Sequence, residues 1–178
     1  MITYSDEYPP YTSAAKVLLD LIARKGYKKI LEIGIYRCRT AVWILSRANH
    51  LVDEYWGIDR FDDFPPTRNT EAWKDYYKSA CKYMNIYSKF RVLRLYSDNA
   101  LDIFPDHSFD LIYIDGDHAY ESVKKDIQGW LPKVKHGGHI GGHDYGGRYI
   151  GVKKAVDEVL SDKDVVIHQN SMVWLVEV

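Results

Sequence analysis

Two short stretches of this chain carry carboxylates and imidazoles close together. The first reads Phe-Asp-Leu-Ile-Tyr-Ile from Phe109, then Asp115-Gly116-Asp117-His118; the second closes on Gly142-His143-Asp144-Tyr145. In each, an apolar strand-like run gives way to acid and histidine. A parallel sheet sets the ends of such strands side by side, where ligands bind. Carboxylate and imidazole brought together there can hold a divalent metal and supply a base.

A second group of residues lies upstream. Leu31-Glu32-Ile33-Gly34-Ile35-Tyr36-Arg37-Cys38-Arg39-Thr40 runs from a strand through a glycine turn into a helix. The glycine allows close backbone approach, and the helix start offers free N–H groups. The spacing is not G-x-G-x-x-G, which argues against a dinucleotide pyrophosphate site. The next strand ends Gly57-Ile58-Asp59, an acid placed to bind two ribose hydroxyls. Plainer structural readings stand beside these. Asp117 or His118 can cap a helix, Asp59 can be a solvated strand end, and Asp126 and Glu121 can lie on a solvated helix face. His136 and His139 read as turn and strand residues. Trp73, Tyr76 and Tyr77 read as packing, or as sugar contacts.

The elements that must position these groups alternate. Helical spacing covers Tyr11–Lys25, Thr40–Asn49, Glu71–Met84, Tyr120–Leu131 and Gly151–Leu160. Strand-like runs cover Lys29–Ile35, Tyr55–Asp59, Phe90–Tyr96, Phe109–Ile114, Gly138–Gly142, Val165–Gln169 and Met172–Val178. The last two are joined by Asn170-Ser171, a hairpin signal. Asp62–Thr70, with two prolines, reads as a loop. This predicts an α/β fold: a Rossmann-like three-layer sandwich, a seven-stranded mostly parallel sheet with an antiparallel C-terminal hairpin strand. The 178 residues suffice for one domain, 1–178, leaving only the first ten residues and the Asp62–Met84 region as lid material.

Composition narrows the function classes. A net charge of −1 supplies no basic field for nucleic acid or an anionic membrane surface. The N-terminus carries no signal-peptide pattern, and no apolar run has the length of a membrane span. Cys38 and Cys81 lack C-x-x-C spacing, which points to a reduced, cytoplasmic protein. Fifteen tyrosines serve as amphipathic filler or as stacking surfaces for a ring-shaped ligand.

Taken together, Ile30–Leu160 resembles a class I S-adenosylmethionine-dependent methyltransferase. It is similar to the branch with Ile-Asp-Gly-Asp-His followed by Tyr and, later, Gly-His-Asp-Tyr. The resemblance implies S-adenosyl-L-methionine as cofactor, lined by Glu32, Gly34, Ile35 and Thr40, with Asp59 on the ribose, Ser97 and Asp98 at the adenine, and Asp115 nearby. Cys38 stands where the family usually has glycine. The macrolide-sugar O-methyltransferases, which the second half resembles, hold a divalent metal, magnesium or manganese. The metal set implied here is Asp115, His143 and Asp144, with His118 as the base; imidazole at 143 leaves open manganese, a metal held by Asp115 and Asp144 alone, or a His143 that points away. The implied partner is a small-molecule or glycan substrate, a hydroxyl on a sugar. A catechol or small phenol, a non-catalytic binding role, and a homodimer are left open.

Overall fold

The computed structural model describes residues 9–62 and 70–178, with side chains from Ser13 to Asp62 and from Lys74 to Val178. The expected loop at Asp62–Thr70, the side chain of Trp73 and the first eight residues lie largely outside the described residues. The elements run α1 (Pro9–Lys25), β1 (Lys29–Ile33), α2 (Arg39–Ala48), β2 (Glu54–Ile58), α3 (Thr70–Ile86) and β3 (Phe90–Leu93). A 3₁₀ turn over Asp98–Ile103 then leads to β4 (Phe109–Ile114), α4 (Tyr120–Trp130), β5 (Val134–Gly142), α5 (Ile150–Val159), β6 (Val166–His168) and β7 (Val173–Glu177).

One seven-stranded sheet forms in the order β3-β2-β1-β4-β5-β7-β6. Strands β1 to β5 pair in parallel, and β7 runs antiparallel to both β5 and β6. The expected architecture is the observed one. The chain order reverses between β1 and β4, and in open α/β sheets ligands bind at the carboxyl ends of strands at such a point. The connection from β6 to β7 is a 3₁₀ turn, Gln169–Ser171, rather than the two-residue hairpin expected. Strand β5 begins four residues earlier than its glycines suggested, at Val134.

Alternation along the buried strands feeds two apolar layers. On one face, Ile30, Tyr55, Leu111 and Tyr113 pack with Leu18 and Ile22 of α1, Ile44 and Leu45 of α2, and Ala80 of α3. On the other, Leu31, Ile112, Ile114 and Trp174 pack with Val123, Ile127 and Trp130 of α4 and Val152 and Val156 of α5. Hydrophobic burial on both faces explains why the central strands read as continuous apolar runs.

The upper edge of the sheet is stepped by backbone hydrogen bonds. The Gly34 amide donates to Ile58 O (2.8 Å), Asp115 N to Ile33 O (2.7 Å) and His143 N to Ile114 O (3.1 Å). Gly34 is not simply an opening for a ligand. Its φ is +85°, and a Cβ there would lie 2.3 Å from the Asp115 carbonyl oxygen and 2.4 Å from Gly116 Cα. Glycine lets the ends of β1 and β4 touch. Gly34→Ala is therefore expected to lower the unfolding free energy by about 2–4 kcal/mol, strain and overpacking combined. Urea unfolding measures it, and an unchanged midpoint would contradict this account of the seam.

Candidate active site

Pairing of β4 with β5 places Ile114 opposite Gly142, so Asp115 and His143 leave the sheet at the same level. Asp144 follows with φ of +59°, a left-handed conformation that aspartate tolerates better than most residues. The strand has ended two residues earlier, at Gly142. The Asp144 Oδ2 atom then meets His118 Nε2 at 2.7 Å.

Asp115, His118 and Asp144 each bring one ligand-capable atom within 4.8 Å of the others. Their side chains are 17%, 32% and 11% exposed, at the mouth of the site rather than in the core. This trio differs by one member from the expected metal set. His143 is more deeply buried, 7% exposed, with Nδ1 at 3.4 Å from Asp144 Oδ2 and 3.7 Å from Asp115 Oδ1. It backs the two carboxylates, while His118 occupies the open side.

The electrostatics of the two acids diverge. Burial pushes the Asp115 carboxyl up to about 7 against the opposing pull of His143, with Asp144 adding to the rise. Burial acts on Asp144 too, but hydrogen bonds from His118 and His143 hold its carboxyl well below the usual range. His143 is moved up, since its carboxylate neighbours outweigh the burial that opposes them. His118 is also fixed from the side: its ring stacks on Tyr149, centroids 4.0 Å apart and planes 17° apart. Asp117 accepts hydrogen bonds from the Ala119 amide (3.1 Å) and the Ser122 hydroxyl (2.8 Å), so it braces the start of α4.

The residues expected around a cofactor separate into two groups. Asp59 stands at the end of β2, its Oδ2 accepting from the Tyr36 amide and its Oδ1 from the Phe61 amide, both at 2.8 Å. Burial raises its carboxyl above the ordinary value, against those two bonds. A carboxylate offers about four lone-pair directions, so two remain. Cys38 begins α2 with φ of +58°, which accounts for the glycine usual there; its side chain is completely buried. Glu32, Ile35 and Thr40 are buried below the loop at 2%, 2% and 5% exposure. Glu32 accepts from Tyr55 Oη at 2.8 Å. Ser97 donates to Asp126, and Asp98 is exposed and accepts from the Asn99 amide at 2.9 Å. Asp126 is not on a solvated face: it is 8% exposed, and burial pushes it up to about 6 despite the Ser97 bond.

A family model described as "Methyltransferase domain" matches residues 31–145, from β1 through the residue after Asp144. The chain belongs to this methyltransferase family. The solved structures agree on the fold. A caffeoyl-CoA O-methyltransferase-like protein from Staphylococcus aureus superposes with a TM-score of 0.67 at 16% identity, covering 93% of this chain and 83% of that one. CalS11, a TDP-rhamnose 3′-O-methyltransferase of calicheamicin biosynthesis, superposes at 0.63 with 13% identity, covering 93% and 79%. A curated relative, the uncharacterized protein y4gI of Sinorhizobium fredii, is 46% identical over 44 residues. That stretch is 25% of this chain and spans only 5% of the relative's length. Among the described residues no helix is long and apolar enough to cross a membrane.

Two features of the site escaped sequence reasoning. Tyr55, which caps the buried Glu32, looked like an ordinary strand aromatic. Tyr149, which fixes His118, follows Gly146-Gly147-Arg148 and has no motif of its own; the glycine pair after Asp144 was the available signal of a turn.

Glu32 generates a pH prediction. Burial pushes its carboxyl up to about 8, opposed by the Tyr55 hydrogen bond. The native state therefore holds a proton that the unfolded chain gives up near its ordinary carboxylate value. Stability from this group is full below that value and falls as pH rises through about 8, by at most about 1.4 kcal/mol per pH unit. Glu32→Gln is expected to remove this slope. Denaturation of both proteins at several pH values checks it, and parallel pH profiles would contradict it.

Proposed function

We propose that this enzyme transfers a methyl group from S-adenosyl-L-methionine to a hydroxyl of a sugar or glycan, with a divalent metal assisting. The observation that carries the reading is the meeting of Asp115, His118 and Asp144 from two adjacent strand ends. Two carboxylate oxygens form a donor pair that suits magnesium or manganese, with the His118 imidazole beside them. Asp115 and Asp144 would hold the ion. Bound there, it would lower the pKa of a substrate hydroxyl, and vicinal hydroxyls could chelate it together.

The chain's own residues supply the rest. Asp59, with two lone pairs unspent, would accept the ribose hydroxyls, and the Gly34–Thr40 loop it pins through Tyr36 N would border the methionine portion. Ser97 and Asp98 would border the adenine. His118 Nε2 is committed to Asp144, which orients the ring and leaves Nδ1 to take the substrate proton. His143 would hold both acids in place from behind. The cofactor already carries the reactive group, so positioning and proton removal are the protein's work. CalS11, named for a sugar hydroxyl, supports the sugar reading, and the Staphylococcus aureus protein, named for caffeoyl-CoA, supports a phenol as the second reading. Two free cysteines support a reducing, cytoplasmic setting.

Cofactor turnover with a panel of nucleotide sugars, glycosides and catechols, with and without added manganese and chelator, tests this reading. Turnover is expected with a sugar, to fall with chelator, and to drop about 10²–10⁴-fold in His118→Ala while S-adenosylhomocysteine affinity stays near wild type. Turnover with catechols alone, or turnover indifferent to chelator and to His118, would overturn it.

A further inference from the structure

Beside the trio lies the Arg148 guanidinium. Arg148 follows the Gly146-Gly147 turn, and its guanidinium sits 4.8 Å from the centroid of the Tyr149 ring, with Nη2 donating to Tyr149 Oη at 2.8 Å. The same Tyr149 ring stacks on His118. A single aromatic ring therefore links Arg148 to the candidate base. Among the described residues no carboxylate lies within ion-pairing distance of Arg148. Two other cations are paired with carboxylates. Lys153 pairs with Asp157, and Lys124 pairs with Glu158 at 2.7 Å.

We infer that Arg148 is a specificity-determining residue that selects acceptors carrying an anionic group, a phosphate or a carboxylate, next to the hydroxyl to be methylated. Guanidinium presents several N–H donors in a planar fork that matches both anions, and one bond to Tyr149 Oη leaves most of them free. The stack and the Oη bond hold the fork in one place before substrate arrives, which cuts the ordering cost of binding. Asp115 and Asp144 face the reacting end, and an anion placed on them would meet like charge. A cation one ring away lets the substrate lie with its hydroxyl at the trio and its charge at Arg148.

This inference rests on the proposed transfer to a sugar hydroxyl, and its test does not need turnover. Calorimetry on metal-free protein at low salt, with S-adenosylhomocysteine present, would compare inorganic pyrophosphate, glucuronate and the neutral methyl glucoside. Wild-type protein is expected to bind pyrophosphate, glucuronate or both, more tightly than the neutral sugar. Binding of pyrophosphate alone would assign the anion as phosphate, and of glucuronate alone as carboxylate. Arg148→Gln, an exposed change that leaves the fold intact, is expected to weaken anion binding roughly tenfold to hundredfold. Neutral-sugar binding should not change. Tyr149→Phe, which keeps the stack and loses Oη, should fall between the two proteins. Equal anion affinity in wild type and Arg148→Gln, or no anion binding by wild type, overturns the assignment. Loss of metal-dependent turnover on sugars with Arg148-dependent anion binding intact would instead count against the proposed reaction alone.

Discussion

The site depends on seams that have no room for a side chain. Strand β4 is pressed between β1 and β5, and the residues at the two contacts are glycines. At Gly34 a Cβ would meet the Asp115 carbonyl oxygen; at Gly142 it would lie 2.5 Å from the Ile114 carbonyl oxygen and 2.7 Å from Trp174 Nε1. Asp115 therefore leaves the sheet hemmed in by backbone on both sides. The left-handed turn at Asp144 then brings the second acid back over the first. Neither carboxylate is placed by a flexible side chain searching for a partner. Both are delivered by backbone whose path is set by packing across the whole sheet.

That delivery creates an electrostatic problem, and the problem points to the chemistry. Two partly buried carboxylates in one site resist ionising together. Two histidines relieve Asp144, which stays charged, while burial still drives Asp115 up to about 7. A protein with only stability at stake would place an apolar pair here. A divalent cation between the acids would offset the burial of both. The support is unequal: His118 and His143 both reach Asp144, while only His143, at 3.7 Å, reaches Asp115.

Much of this was legible from the chain. Alternating helix and strand patterns, with the Asp115 and Asp144 strand ends, led to the sheet and to the two acids sharing an edge, because parallel strands end level when their registers match. What stayed hidden depended on the third dimension. Whether His118 or His143 faces the open side turns on one residue of backbone after β5. Asp126 looked like a solvated helical acid, yet α4 rolls it against Ser97. Gly34 read as an opening for ligand, while its nearer neighbour is another strand's backbone. Arg148 and Tyr149 carry no motif and become visible only when a ring lies flat on His118.

The central claim is that Asp115 and Asp144 hold one metal ion beside the His118 base, and binding of Mn²⁺ followed by electron paramagnetic resonance tests it most directly, without substrate or turnover. The account predicts one bound ion per chain in the wild-type protein, and loss of that ion in a folded Asp115→Asn, Asp144→Asn double variant. No bound ion in the wild type, or the same occupancy in the double variant, would contradict it.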